Sequence, residues 1–222
     1  MGFLTDLLFP PRCALCGRPG GDRSAPCRSC QADAALWLTG AEAVRRGSAF
    51  ALCVSAGAYR GVLRDSVRRF KFLGHAEYAR VYGPILAGAV RRALAGRYDT
   101  VAWMPVSAGT LATRGYDQAR LLAEETAAAL GGHARPLLEK VRDTAAQSSL
   151  GSAGERWGNV AGVYAVLDPE QVRGRRILLI DDILTTGATL EEGARTLRAA
   201  GAAEVVAATL CRAMPRSHSE PV

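Results

Sequence analysis

Asp181 and Asp182 stand side by side after the apolar run Ile177-Leu178-Leu179-Ile180, and Thr185-Thr186-Gly187-Ala188-Thr189 follows Ile183 and Leu184. Adjacent carboxylates can accept hydrogen bonds from sugar hydroxyls or hold a hydrated Mg²⁺. A Thr/Gly loop that opens a helix offers hydroxyls and consecutive backbone N–H groups, which together bind an anion. Gly187 permits the positive φ or the close backbone approach that such a loop needs. The chemistry that uses both halves is recognition of a ribose phosphate. A plain strand–turn–helix, with Asp as turn former and Thr as N-cap, is the simpler alternative. The block lacks the lysine and the spacing of a Walker loop.

A second small-residue turn, Ser107-Ala108-Gly109-Thr110, follows Trp103-Met104-Pro105-Val106. Alone it reads as an ordinary βα loop. Beside the first loop it supplies a second anion cradle, which one substrate carrying a monophosphate and a pyrophosphate requires. Residues 140–160 hold Lys140, Arg142, Gln147, Ser148, Arg156 and Asn159. A polar, cationic loop of this kind is expected to close over a bound pyrophosphate and exclude water.

Cys13-Ala14-Leu15-Cys16 and Cys27-Arg28-Ser29-Cys30 form two CxxC knuckles. Four thiolates at this spacing can wrap one tetrahedral ion, with zinc expected and iron the alternative. All four positions are taken by the protein, so the ion is expected to be structural. Two disulfides are the competing arrangement, which a reducing cytosol disfavours. Cys53 and Cys211 lie in apolar runs and read as small core residues.

These groups need a scaffold. Alternation of strand-like and helix-like segments after residue 75 predicts an α/β fold with a doubly wound, mainly parallel sheet. The carboxyl ends of such strands are where ligands bind. The pattern predicts helices over 33–38, 62–73, 76–94 and 117–130, with a kink at Gly83-Pro84. It predicts strands over 49–59, 99–104, 134–138, 163–166, 177–180 and 204–210. The expected organisation is a metal module over 1–40 and a connecting strand and basic helix over 41–74. A catalytic-type domain over 75–212 and a frayed tail over 213–222 complete it.

A chain of 222 residues that is 49% hydrophobic has material for one sizeable core. No apolar stretch is long enough to span a bilayer, and Met1 to Phe9 lacks the basic flank of a signal peptide. A soluble cytoplasmic protein is expected. The formal net charge of +7 favours polyanionic partners, either nucleic acid or a phosphorylated sugar.

The Asp-Asp and Thr-Thr-Gly block resembles the binding signature of type I phosphoribosyltransferases. The 103–116 segment is similar to the pyrophosphate loop of amidophosphoribosyltransferases, with Gly115-Tyr116 following. Together with Phe9-Pro10-Pro11-Arg12-Cys13, Phe70-Lys71-Phe72-Leu73-Gly74 and Arg114-Gly115-Tyr116-Asp117-Gln118, they resemble the ComF family. Lys140, Gln147, Leu150, Arg156 and Asn159 add to that likeness. The resemblance implies a type I phosphoribosyltransferase fold with an N-terminal zinc ribbon, linked to DNA uptake in natural competence. It implies that Asp181 and Asp182 hold the ribose of phosphoribosyl pyrophosphate, while Thr185, Thr186, Gly187, Ala188 and Thr189 hold its 5′-phosphate. Ser107, Ala108 and Gly109 would hold the pyrophosphate with Mg²⁺, and Lys140 or Arg156 would stabilise the leaving group. Single-stranded DNA and DNA-uptake proteins are the further partners implied. The alternatives are a non-catalytic single-stranded-DNA-binding competence factor and a nucleotide-sensing transcriptional regulator. The family's Pro-Val-Pro and several basic residues give way here to Pro105-Val106-Ser107 and a less cationic turn, with Tyr116 and Asp117 at the Phe and Asn positions.

Overall fold

The computed structural model describes residues 12–19, 25–33, 36–142 and 162–214. Its centre is a five-stranded sheet in the order β1-β2-β7-β6-β3. The strands are β1 (Val44–Arg45), β2 (Cys53–Ala58), β3 (Thr100–Trp103), β6 (Arg176–Leu184) and β7 (Glu204–Arg212). β2, β7, β6 and β3 run parallel, and only β1 is antiparallel to its neighbour. The parallel strands are apolar and buried on both faces, as helices on both sides demand.

Helices α2 (Gly61–Phe72), α3 (Ala79–Leu94) and α5 (Gln118–Leu130) pack on one face, contributing Leu63, Val67, Phe70, Tyr82, Leu86 and Leu122 to its core. Helix α6 (Ala188–Ala199) and a small antiparallel hairpin, β4 (Leu138–Lys140) with β5 (Tyr164–Val166), cover the other. Helix α3 continues from Ala79 to Leu94 with Pro84 inside it. Its Gly83 serves packing: a Cβ there would lie 2.4 Å from Cβ of Glu125 on α5.

Several expectations are corrected. The helix expected over 33–38 lies earlier, at α1 (Arg28–Ala32). Trp37 instead bridges Gly57 of β2, Leu38 N–H donates to the Ala56 carbonyl and the Leu36 carbonyl accepts from Ala58 N–H, with Leu36 and Leu38 buried. The strand expected over 134–138 is reduced to a bridge between Ala134 and Val101, and pairing moves to 138–140. Within residues 41–74, the expected strand and helix both join the central sheet. β2 pairs in parallel with β7 inside the central sheet, and α2 packs on that sheet's face. Only Ala213 and Met214 of the expected tail fall among the described residues.

The cysteine module is docked on α2. Leu15 is fully buried in the same core as Leu63, Val67 and Phe70. Ser66 Oγ donates to the carbonyl of Ala14, and Arg69 Nη2 donates to the carbonyls of Ala14 and Leu15 at 3.2 and 2.6 Å. The basic face expected on α2 is thereby divided. Arg69 turns to the ribbon, while Arg64 and Arg68 are exposed.

Candidate functional site

β6 runs on through both acids to Leu184, so Asp181 and Asp182 are strand residues rather than loop residues. Side chains alternate across a strand, so the pair straddles it. Asp181 faces the Cys53 and Tyr164 side, where its charge acts on both groups. Asp182 faces α2, is only 3% exposed, and meets Lys71 Nζ at 2.9 Å from Oδ2 and 3.2 Å from Oδ1. Its backbone N–H donates to Asp181 Oδ1 at 2.8 Å.

Burial, followed by repulsion from Asp182, pushes the Asp181 carboxyl up to about 8. Burial pulls Lys71 down, but the Asp182 carboxylate beside it reverses this and raises it overall. The Asp181 shift has a sign that can be tested. The native state holds a proton here that the unfolded chain releases, so Asp181's contribution to stability is fully present below the unfolded value of 3.8. It is lost as pH rises through about 8. Urea midpoints measured between these limits are expected to fall with pH, and the fall is expected to be shallower in Asp181→Asn. An identical slope in the variant would place the titration elsewhere.

Beyond Leu184 the chain turns through Thr185 and Thr186. Gly187 follows with φ at 91° as the cap of α6, the left-handed conformation for which glycine is suited. Thr186 Oγ1 accepts the N–H of Ala188 at 3.3 Å. Thr185 is exposed, whereas Gly187 and Ala188 are buried. The turn and the N-terminus of a twelve-residue helix thus open at the carboxyl edge of the sheet.

Ser107, Ala108 and Gly109 are not a free loop. Ser107 caps α4 (Ala108–Arg114), its Oγ accepting from Thr110 N and donating to Thr110 Oγ1, both at 3.2 Å. Its hydroxyl is therefore engaged locally, and the exposed Ala108 and Gly109 form the first helical turn. Asp117 fixes the preceding segment. Its Oδ2 accepts from Val106 N at 3.2 Å, while Oδ1 caps α5 through Ala119 N and Arg120 N. Tyr116 donates its hydroxyl to the carbonyl of Phe70, and Arg114 lies over the Phe72 ring at 5.5 Å. The end of α2 and the 107–117 segment are thus joined beside Lys71.

Lys140 lies on β4 opposite Tyr164, whose hydroxyl is pushed up by burial and then by the charges of Asp181 and Asp117. The hairpin therefore borders the same edge of the sheet. Arg156, with Gln147, Ser148, Leu150 and Asn159, lies outside the described residues.

Two charged residues at this edge were given no role from the sequence. Lys71 carried a faint signal as one of only two lysines in an arginine-rich chain. Arg45, on β1, reaches the Thr185 carbonyl at 3.4 Å, and nothing in its local sequence marks it.

At the ribbon, the four sulfurs of Cys13, Cys16, Cys27 and Cys30 all lie within 4.8 Å of one another, the only such group among the described residues. A tetrahedral site with metal–sulfur bonds of about 2.3 Å has edges of about 3.8 Å. The Cys16–Cys27 sulfur separation is 3.7 Å, which fits that tetrahedron and exceeds any disulfide. Cys27 N–H donates to Cys13 Sγ at 3.3 Å, the backbone support expected of a knuckle. The donor set and its size suit a structural zinc. No helix among the described residues is long and apolar enough to cross a membrane.

Comparison with known proteins follows this division of the chain. The family model described as Phosphoribosyl transferase domain matches residues 83–220, and that described as Double zinc ribbon domain matches residues 4–42. The DNA utilization protein YhgH of Salmonella typhi is 30% identical over 91% of this chain and 84% of its own. The competence protein ComFC of Bacillus subtilis (strain 168) is 30% identical over 90% of this chain and 77% of its own. A solved glutamine phosphoribosylpyrophosphate amidotransferase from B. subtilis, complexed with ADP and GMP, is 25% identical with a TM-score of 0.40. It aligns over 58% of this chain and a quarter, 25%, of its own. A cysteine ribbon joined to a phosphoribosyl transferase domain, matched at this identity over nine-tenths of the length, is the arrangement of the ComF family, to which the chain belongs.

Proposed function

We propose that the chain binds Mg²⁺-phosphoribosyl pyrophosphate along the carboxyl edge of its sheet and transfers the pentosyl group to an acceptor, in the service of DNA uptake. The observation that carries this reading is the continuity of β6, Asp181-Asp182, the Gly187 turn and the N-terminus of α6 at that edge. The names of the ComFC and YhgH relatives support the link to DNA.

In the proposed reaction the bond from C1 of the ribose to pyrophosphate breaks, and the acceptor forms a bond to C1. Positive charge develops on the ribose ring, and the protein's task is positioning and electrostatics. Thr185 to Thr189 hold the 5′-phosphate, and Asp181 accepts from the ribose hydroxyls, joined by Asp182 once Lys71 leaves it for the pyrophosphate. The first turn of α4, at Ser107, Ala108 and Gly109, faces the pyrophosphate. Lys71 joins Lys140 and Arg156 as a cation for the leaving group. Asp181 and Asp182 would hold Mg²⁺, which would supply neutralisation of the pyrophosphate charge.

The test is to incubate the protein with Mg²⁺ and phosphoribosyl pyrophosphate, with nucleobases, ammonia or single-stranded DNA as acceptors, and to measure pyrophosphate release. Calorimetry should show binding by the wild type and none by Asp181→Asn/Asp182→Asn that retains its far-UV spectrum. Unchanged affinity in that variant would remove both acids from the site.

The relatives' names also favour a second reading, a single-stranded-DNA-binding competence factor on the same fold. Its support here is the net charge and the exposed Arg64 and Arg68. Binding of that kind weakens steeply with salt. A flat salt dependence would exclude it.

A further inference from the structure

The geometry points to Arg45 as the cation of the 5′-phosphate subsite, held over the Thr185–Gly187 turn by a carboxylate clasp on α6. This deepens the proposed function and rests on its assignment of that turn to the 5′-phosphate.

Arg45 comes from β1, the antiparallel edge strand, where it pairs with Cys53. Its guanidinium nevertheless reaches the turn that follows β6. Nη1 lies 3.4 Å from the Thr185 carbonyl and would lie 3.6 Å from a Cβ placed on Gly187, with Cζ at 3.7 Å. The contact is long for a hydrogen bond, and the guanidinium carries five donors. No carboxylate lies within ion-pairing distance of it among the described residues. A planar cation beside a phosphate-type turn, with donors to spare, matches what bidentate phosphate recognition needs.

The arginine is also held in place. The turn leaving β1 is clasped by Glu191, a buried residue in the first turn of α6. Glu191 accepts from Ser48 N at 2.8 Å, from Ser48 Oγ at 2.8 Å and from Ala49 N at 2.6 Å. Gly47 allows this closeness, since a Cβ there would sit 2.5 Å from Glu191 Oε1 and 2.6 Å from the Phe50 ring. These three bonds absorb the carboxylate's charge locally, so an acid beside an anion site does not oppose the anion as a bare charge would. They also fix β1 to the helix whose N-terminus forms the subsite. Glu191 is thus a positioning residue, and Arg45 is the one that touches ligand.

The experiment titrates ribose 5-phosphate and inorganic pyrophosphate, each with Mg²⁺, into the wild type, Arg45→Gln and Arg45→Lys. Wild type is expected to bind both. Arg45→Gln is expected to lose about 10- to 100-fold in affinity for ribose 5-phosphate, the range for a charge-assisted hydrogen bond, with pyrophosphate affinity within about threefold. Arg45→Lys is expected to recover part of the loss. Equal affinity of Arg45→Gln and wild type for ribose 5-phosphate overturns the role of Arg45 and leaves the proposed function standing. Parallel losses for both ligands also overturn it, because a structural role moves both. A wild type that binds no ribose 5-phosphate overturns the 5′-phosphate assignment and the inference together.

Discussion

Lys71→Met is expected to destabilise the fold by about 3 kcal/mol, because it strands a nearly inaccessible carboxylate without a counter-charge. Asp182 is 3% exposed, and Lys71 Nζ sits 2.9 Å from its Oδ2. Breaking one partner of a buried pair costs about 3–5 kcal/mol, and the lower end applies where the lysine keeps some contact with solvent. A fifth of the Lys71 side chain, 20%, is exposed. Asp182→Asn is expected to be costly for the converse reason, leaving a cation over a neutral amide. The double variant Lys71→Met/Asp182→Asn is then expected to lose much less than the sum of the singles, since neither charge remains to be stranded. Denaturant midpoints at constant slope measure all three. Losses that simply add would mean that the two groups do not interact.

Removing the metal from the ribbon is expected to have the second large effect. Structural zinc contributes about 10–16 kcal/mol of apparent binding energy to small cysteine modules at neutral pH. The Ser29 hydroxyl and the Cys30 N–H pull the Cys27 thiol down to about 6, whereas burial pushes Cys30 far up. Cys30 therefore needs a metal ion beside it to bind as a thiolate. Chelation, or Cys16→Ser, is expected to release the ribbon, uncover Leu15, and deprive Ser66 and Arg69 of their carbonyl acceptors. Thermal unfolding should then shift down by many degrees while far-UV dichroism changes little, since the central sheet does not pass through the ribbon. Elemental analysis is expected to give one zinc per chain: of the six cysteines only four are gathered, and Cys53 and Cys211 are buried in the sheet. An unchanged melting curve after complete removal of metal would contradict a structural ion.

What the sequence made legible was local. The run Ile177 to Ile180, the helix over 117–130 and the two cysteine knuckles each carry their signal within a few neighbours. Periodicity found α2 for the same reason, with Leu63, Val67 and Phe70 on one face. The five-residue helix α1 was missed because it is too short to show a period. The strand nature of Asp181 and Asp182 was missed because two acids end an apolar run, and pairing of Asp181, Ile183 and Leu184 with Thr209, Cys211 and Arg212 on β7 keeps them extended. β2 was expected as a strand, within 49–59, but assigned to a connecting segment, because nothing in Cys53 to Ala58 itself names its partner. Its parallel partner β7 lies at the far end of the chain. The cations of the site share this cause. Lys71 looked like one more charge on an amphipathic helix, and Arg45 like one of many arginines. Each acquires its meaning only from an acid or a carbonyl brought to it by the sheet.

Helix α2 carries Arg69 and Lys71 two positions apart, so they point to nearly opposite sides of one cylinder. One grips the carbonyls of the cysteine knuckle, and the other grips a carboxylate at the sheet edge. A short helix with Phe70 fully buried between them has little freedom to roll or slide toward one grip without loosening the other. The ribbon and the carboxyl edge of the sheet are therefore geared through a single rigid part. Thermodynamic reciprocity then applies: whatever factor metal loading adds to the affinity of any ligand at that edge, the ligand adds to the affinity for metal.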